Sequence, residues 1–277
     1  MNWLEAIILG LVQGLCEFLP ISSSGHLAVF QSFFGMEGEE NLILSILLHL
    51  GTLIAVIAVY YKDIWMIIKN FFLMLGDIFK KRFTWKGANQ YQRMAVLMMV
   101  TLIPLVFVLL FKDFVEWITA IPWAIGVLLI LNGIILYIST KFEDTDKDIS
   151  KATPKNALTI GFIQLLGVLP GISRSGSTIS GALYCGFDRE LAVKYSFILS
   201  IPTIVAANLL NIFDIAKMSI TGEQAAMYAV GMLVAAVSGF FAIKLLNMLM
   251  KRNLFKIFAI YSVIAGAATA VASFFIG

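Results

Sequence analysis

The chain has 277 residues, of which 60% are hydrophobic and 13% charged. Soluble domains carry about 45–50% apolar and about 25% charged residues, which excludes an ordinary soluble domain, a disordered chain and a coiled coil. A net charge of +3 is too small to indicate a nucleic-acid partner, and the long apolar runs disfavour a transmembrane barrel, whose segments alternate over about 10 residues, leaving an all-α polytopic membrane protein.

Met1-Asn2-Trp3-Leu4-Glu5 has no basic n-region and no small-residue cleavage site follows, so the first apolar stretch is expected to stay in the mature protein. Residues 4–19 form an apolar arm that reaches Pro20 and Ser22-Ser23-Ser24-Gly25-His26, after which a second arm runs to Phe34. At 1.5 Å per residue these arms are about 24 and 16 Å long, too short for a hydrocarbon core of about 30 Å. Spans follow at 42–61, 93–111 and 122–140. Between the first two, apolar residues from Ile64 to Phe79 recur on one helix face and Lys80-Lys81-Arg82 follow, which predicts a cytoplasmic interfacial helix over 63–79. Residues 157–169 reach Pro170-Gly171 and Ser173-Arg174-Ser175-Gly176, with a short arm to Cys185. These arms are about 20 and 14 Å. Three further spans lie at 192–211, 224–250 and 254–275. Cys16 and Cys185 sit in apolar surroundings and read as inert thiols.

A Pro/Gly/Ser break is tolerated at membrane depth only where protein or a water-filled cavity satisfies the freed backbone. Both broken regions therefore read as re-entrant helix-turn-helix pairs. They resemble each other at a constant offset of 151: Gly10, Gln13, Ser22, Ser24 and Gly25 align with Gly161, Gln164, Ser173, Ser175 and Gly176, and Ser45 and Thr52 with Ser196 and Thr203. Loops 62–92, 141–157, 186–194 and 251–256 carry six, four, two and three basic residues, whereas 35–41, 112–121 and 212–223 carry none, one and one. The basic group is cytoplasmic by the positive-inside rule. Each half then holds one re-entrant pair and three spans. The expected fold is one domain over 1–277, with an inverted-topology repeat of halves 1–140 and 157–277, a linker over 141–156 and both termini outside.

Gln13 and Glu17 share a helix face before the first turn, and His26 lies after it. Arg174, flanked by Ser173 and Ser175, sits in the second turn. An ionisable group at membrane depth is a functional candidate or a paired group. If the turns meet, a guanidinium, a carboxylate, an imidazole, hydroxyls and two helix N-termini face one pocket, which suits a phosphate-like anion. The blander alternatives are a structural Glu17–Arg174 pair, serine N-caps, a capping His26, and glutamines joining helices. His49, Asn132, Asn208, Lys244 and Asn247 read as packing or snorkelling residues, with His49 the first candidate for an exception.

The stretch Gln13-Gly14-Leu15-Cys16-Glu17-Phe18-Leu19-Pro20-Ile21-Ser22-Ser23-Ser24-Gly25-His26 resembles the first signature of the undecaprenyl-diphosphate phosphatases, the bacitracin-resistance family. Pro170-Gly171-Ile172-Ser173-Arg174-Ser175-Gly176-Ser177-Thr178 resembles the second. Position 13 is Gln where some members have Glu; the family pattern admits either, and this chain has one carboxylate there where a two-carboxylate mechanism needs a pair. The resemblance implies hydrolysis of undecaprenyl diphosphate to the monophosphate and phosphate at the bacterial inner membrane, with a pocket open to the outer face. It also implies a divalent cation, Mg²⁺ or Ca²⁺, held in part by Glu17. Expected catalytic residues are Glu17, His26, Arg174 and Ser23. Expected substrate contacts are Gln13, Ser22, Ser24, Gly25, Ser173, Ser175, Gly176 and Thr178. Two routes stay open: water activated by His26 or Glu17, or attack by Ser23 with one of them as base. A transporter or flippase of a prenyl phosphate lipid is the rival from another class.

Overall fold

The computed structural model describes all residues except 37–38, 143–144, 216–219, 253 and 277, and it leaves out the side chains of 39–41, 112, 116, 210–215 and 274–276. Loops 35–41, 141–157, 212–223 and 251–256 therefore lie partly outside the described residues. Those residues form α1 (Trp3–Phe18), α2 (Ser23–Phe33), α3 (Glu39–Phe79), α4 (Gln90–Leu102), α5 (Lys112–Thr119), α6 (Pro122–Ser139), α7 (Pro154–Leu166), α8 (Arg174–Tyr184), α9 (Arg189–Ile215), α10 (Gly222–Lys251) and α11 (Lys256–Ile276). No strand occurs among them.

Six helical segments are long and apolar enough to cross a membrane: Leu42–Phe79, Gln90–Leu110, Pro122–Ser139, Arg189–Leu209, Gly222–Lys251 and Lys256–Ser273. Five coincide with expected spans to within a few residues, and the first begins where expected but runs on past residue 61. Both interrupted regions are helix-turn-helix pairs, α1–α2 and α7–α8. Their 16, 11, 13 and 11 residues make helices about 24, 17, 20 and 17 Å long.

One boundary expectation is corrected. The span at 42–61 and the amphipathic stretch at 63–79 are one 41-residue helix, bent at Tyr60 (φ −110°, ψ 21°). No proline or glycine stands between Thr52 and Leu75, so the helix bends without ending. The bend is anchored on α10, where Asn247 Nδ2 donates to the Tyr60 hydroxyl at 3.0 Å. Beyond Leu102 the second span tightens into a 3₁₀ segment, Ile103–Leu110, because Pro104 has no N–H to donate.

The most extensive helix pairings are α6 with α11, α1 with α10, and α10 with α3. Small residues permit them. A Cβ at Gly14 would stand 2.5 Å from the Ala235 carbonyl oxygen, so α1 and α10 touch backbone to backbone there. Inside, the Phe18 ring meets Phe197 edge-on at 5.3 Å, which fixes the end of α1 against α9. Outside, large apolar side chains face away from the protein, Phe79 at 86% and Phe33 at 78% exposure. Such a surface is stable against lipid and not against water. Cys16 is buried, Cys185 half-buried, and neither forms a disulfide.

Candidate active site

α1 stops because Pro20 forces the preceding residue out of the helical region, and Leu19 is extended (φ −67°, ψ 139°). The chain restarts at Ser23, with Ser22 as N-cap in a left-handed conformation (φ 70°). A non-glycine residue held there costs on the order of 1–3 kcal/mol and persists only when its surroundings fix it. Here the Ser22 hydroxyl accepts the Gly25 N–H at 3.3 Å and, from the other repeat, the Gly171 N–H at 3.1 Å. In the second turn Gly171 takes the positive φ of 110°. Ser173 caps α8 by accepting the Gly176 N–H at 3.0 Å. The two turns are in contact. A Cβ at Gly25 would lie 3.0 Å from Gly171 Cα.

A third element holds both turns. Asn132 of α6 is fully buried. Its Nδ2 donates to the Pro20 carbonyl at 3.0 Å and to Ser262 Oγ at 3.1 Å, and its Oδ1 accepts the Ser173 N–H at 3.0 Å.

Beside the turns lies a cavity of about 350 Å³. Its polar wall is Glu17, Ser23, Ser24, Ser45, His49, Arg174, Thr203 and Asn208, and its apolar wall includes Leu42, Ile46, Val168, Ile172 and Ile204. Arg174 Nη2 donates to Glu17 Oε1 at 2.6 Å, an ion pair joining the two repeats. Ser23 Oγ donates to Glu17 Oε2 at 2.6 Å and Gln13 Nε2 donates to the same oxygen at 3.0 Å. His49 Nε2 stands 3.7 Å from it. The His49 Nδ1–H donates to the Ser45 carbonyl at 2.7 Å, which turns Nε2 toward the carboxylate. Ser23 and Arg174 are the first residues of α2 and α8, so two helix N-termini end at this wall. A hydroxyl against a carboxylate, with a guanidinium opposite, can bind a phosphate and attack it.

The family model for bacitracin resistance protein BacA matches residues 6–268. The chain belongs to the BacA family. An undecaprenyl-diphosphatase of Alkaliphilus metalliredigens is 42% identical over 260 residues, which cover 92% of this chain and 93% of that protein. One of Desulfatibacillum aliphaticivorans is 41% identical over 99% of this chain and 100% of its own length. One of Methanobrevibacter smithii is 41% identical, with 96% of each chain covered.

In this BacA member the structure brings Glu17, Ser23, Ser24 and Arg174 to one cavity, with Gln13 behind Glu17. It does not bring His26 there. The expectation that His26 faces the pocket is corrected: its Nδ1–H donates to the Ser22 carbonyl at 2.7 Å and its Nε2 meets the Tyr261 hydroxyl at 2.9 Å. The i−4 carbonyl captures the ring and turns it to a separate apolar cavity between α1, α2 and α11. Of the expected substrate contacts, Ser22, Gly25, Ser173, Ser175, Gly176 and Thr178 are buried in the turns. Ser22 and Ser173 are caps, Ser175 Oγ pairs with Ser173 Oγ at 3.1 Å, and Thr178 Oγ1 lies 2.5 Å from Ser196 Oγ. These residues shape the site without lining the cavity, because a helix restart needs acceptors for its first N–H groups.

Sequence reasoning missed Ser45, Thr203 and Asn208 as cavity residues and Asn132 as the tie between turns, whereas His49, the first candidate for an exception among the polar residues of the spans, does line the cavity. A signal existed for two: Ser45 and Thr203 lie in the repeat register, matched to Ser196 and Thr52. Asn247 and Lys244 are packing residues. The former bonds Tyr60, and the Lys244 ammonium lies 4.2 Å from the Phe240 ring centroid.

Proposed function

We propose that this BacA-family chain is a membrane phosphatase that hydrolyses undecaprenyl diphosphate to undecaprenyl phosphate and inorganic phosphate. The reaction recycles the lipid carrier of peptidoglycan precursors, and abundant enzyme confers bacitracin resistance. The curated relatives carry the name of this activity over nearly their whole length. The observation that carries the mechanism is the meeting of Arg174, Glu17 and Ser23, from opposite repeats, in one cavity.

Arg174 holds the terminal phosphate and stabilises the charge that develops on it. Ser23 Oγ attacks the terminal phosphorus, its proton passes to Glu17 Oε2, and the bond from that phosphorus to the bridging oxygen breaks. Undecaprenyl phosphate leaves. Water then attacks the phosphoserine, Glu17 returns its proton to Ser23 as the P–Oγ bond breaks, and phosphate departs. The 2.6 Å contact of Ser23 with the carboxylate supports serine over direct water attack. The prenyl tail stays among the apolar wall and the lipid.

The residues present fit a hard divalent cation shared with the substrate. Gln13 Oε1 is buried without a hydrogen-bond partner beside Glu17, and oxygen donors suit Mg²⁺ or Ca²⁺. Among the described residues no group of three or more His, Cys, Asp or Glu side chains gathers to hold a metal without help. Glu17 and Gln13 would hold the cation together with diphosphate oxygens, and bound there it neutralises phosphate charge. Chelation should therefore stop phosphate release, and Mg²⁺ or Ca²⁺ should restore it. Unchanged turnover in excess chelator removes the metal from the account.

The cavity opens toward the outer face in this reading. Its residues Leu42–His49 lie near the start of α3 and Thr203–Asn208 near the end of α9, both beside basic-poor loops. A second cavity, of about 440 Å³ and lined by Asp63, Asp148, Asp188, Glu190 and Lys194, sits at the opposite, basic-rich end. The helices of α1–α2 and α7–α8, shorter than the membrane core, enter and return from opposite leaflets in a single domain of two inverted halves, with both termini outside.

Phosphoenzyme trapping tests the serine. Acid quenching of the parent with substrate labelled at the terminal phosphate should leave label on the protein, and Ser23→Ala should abolish both label and turnover. A Ser23→Ala chain with parental turnover excludes serine attack.

A further inference from the structure

We propose that Asn132 is a positioning residue that sets the distance between Glu17 and Arg174. The inference rests on the phosphatase reading and assigns a role to a residue that touches no reacting atom. The Pro20 carbonyl lies three residues after Glu17, and the Ser173 N–H belongs to the residue immediately before Arg174. One buried amide binds both, at 3.0 Å each. The two groups that must converge on one phosphate are thus tied from behind to a single planar side chain.

The geometry is specific to an amide. Asn offers both a donor and an acceptor, and the site uses each once toward a turn. Turning the amide over would set Nδ2 against the Ser173 N–H and Oδ1 against the Pro20 carbonyl, two like pairs. The remaining Nδ2 hydrogen reaches Ser262 of α11. Asn132 therefore references both turns to the α6–α11 pair, one of the most extensive helix contacts in the fold. A direct bond, Gly171 N–H to Ser22 Oγ at 3.1 Å, also links the turns. That bond and the Arg174–Glu17 pair each tie one point of the turns to the other, and the Asn132 bonds at Pro20 and Ser173 add two further points from α6.

Misplacement of a catalytic group by about 1 Å costs on the order of 100-fold in rate. Asn132→Leu, similar in volume but without polar atoms, is expected to lower kcat about 100-fold with KM within about threefold, since tail and cavity wall are untouched. Asn132→Asp keeps the acceptor toward Ser173 but sets an oxygen against the Pro20 carbonyl, so it should lose turnover about as far as Asn132→Leu. Ser262→Ala removes only the α11 bond and should stay within twofold of the parent.

The discriminating measurement is a double-mutant cycle with Arg174→Ala in purified protein, using a long-chain polyprenyl diphosphate and reading phosphate release. If Asn132 acts by placing Arg174, its replacement adds less than about threefold once the guanidinium is gone. A structural role of Asn132 gives a loss that multiplies fully with Arg174→Ala. That result, or parental kcat in Asn132→Leu, overturns the inference. Where Asn132→Leu fails to yield folded protein, the same cycle run with Asn132→Asp decides it. Failure of the phosphatase reading looks different: the parent itself releases no phosphate.

Discussion

Replacing Arg174 by alanine should lower phosphate release about 10³- to 10⁵-fold, the range that a transition-state guanidinium supplies in phosphoryl transfer. The side chain is 17% exposed, so one side of the guanidinium faces the cavity while Nη2 holds Glu17 at 2.6 Å. Arg174→Lys keeps the charge but loses the planar fork, and it should recover only part of the rate. The substitution also has a stability cost. Removing one partner of a buried pair leaves an uncompensated charge, which costs about 3–5 kcal/mol. Thermal unfolding in detergent should therefore fall for Arg174→Ala and recover when Glu17→Gln is added, while turnover does not. Parental turnover in Arg174→Ala removes Arg174 from the mechanism.

Glu17→Gln is the second large effect. The amide keeps the size and one acceptor, so Ser23 keeps a neighbour but loses its base. General-base contributions of about 10²- to 10⁴-fold set the expected loss, with KM moving far less than kcat. Gln13→Glu is the informative companion. It places a second carboxylate beside the first, and like charges at hydrogen-bond distance resist joint ionisation. Phosphate release by Glu17→Gln at the parental rate rules out Glu17 as base.

The breaks in α1–α2 and α7–α8 were legible in the sequence because proline, glycine and serine act locally: Pro20 excludes helix at Leu19, and Ser22 and Ser173 are caps by residue type. The Glu17–Arg174 pairing was legible because an acid and a base buried in apolar segments need partners. The direction of His26 was not. It follows from the Ser22 carbonyl and from Tyr261 on a helix 235 residues away. Nor was the continuity of α3, where Lys62-Asp63 read as a membrane boundary although no backbone feature ends the helix. Lys194 covers that charge by pairing with Asp63 at 2.5 Å, a contact visible only once α9 lies against α3. Asn132 was opaque for the same reason, since a lone amide in an apolar span says nothing of the two turns it meets.

Phosphate release from undecaprenyl diphosphate by the purified chain, measured beside Arg174→Ala and Glu17→Gln, tests the convergence of the two turns most directly. The account predicts one phosphate per lipid monophosphate formed by the parent, a loss of at least about a thousandfold in Arg174→Ala and a loss of at least about a hundredfold in Glu17→Gln. A parent that liberates no phosphate, or two variants that liberate it at the parental rate, contradicts it.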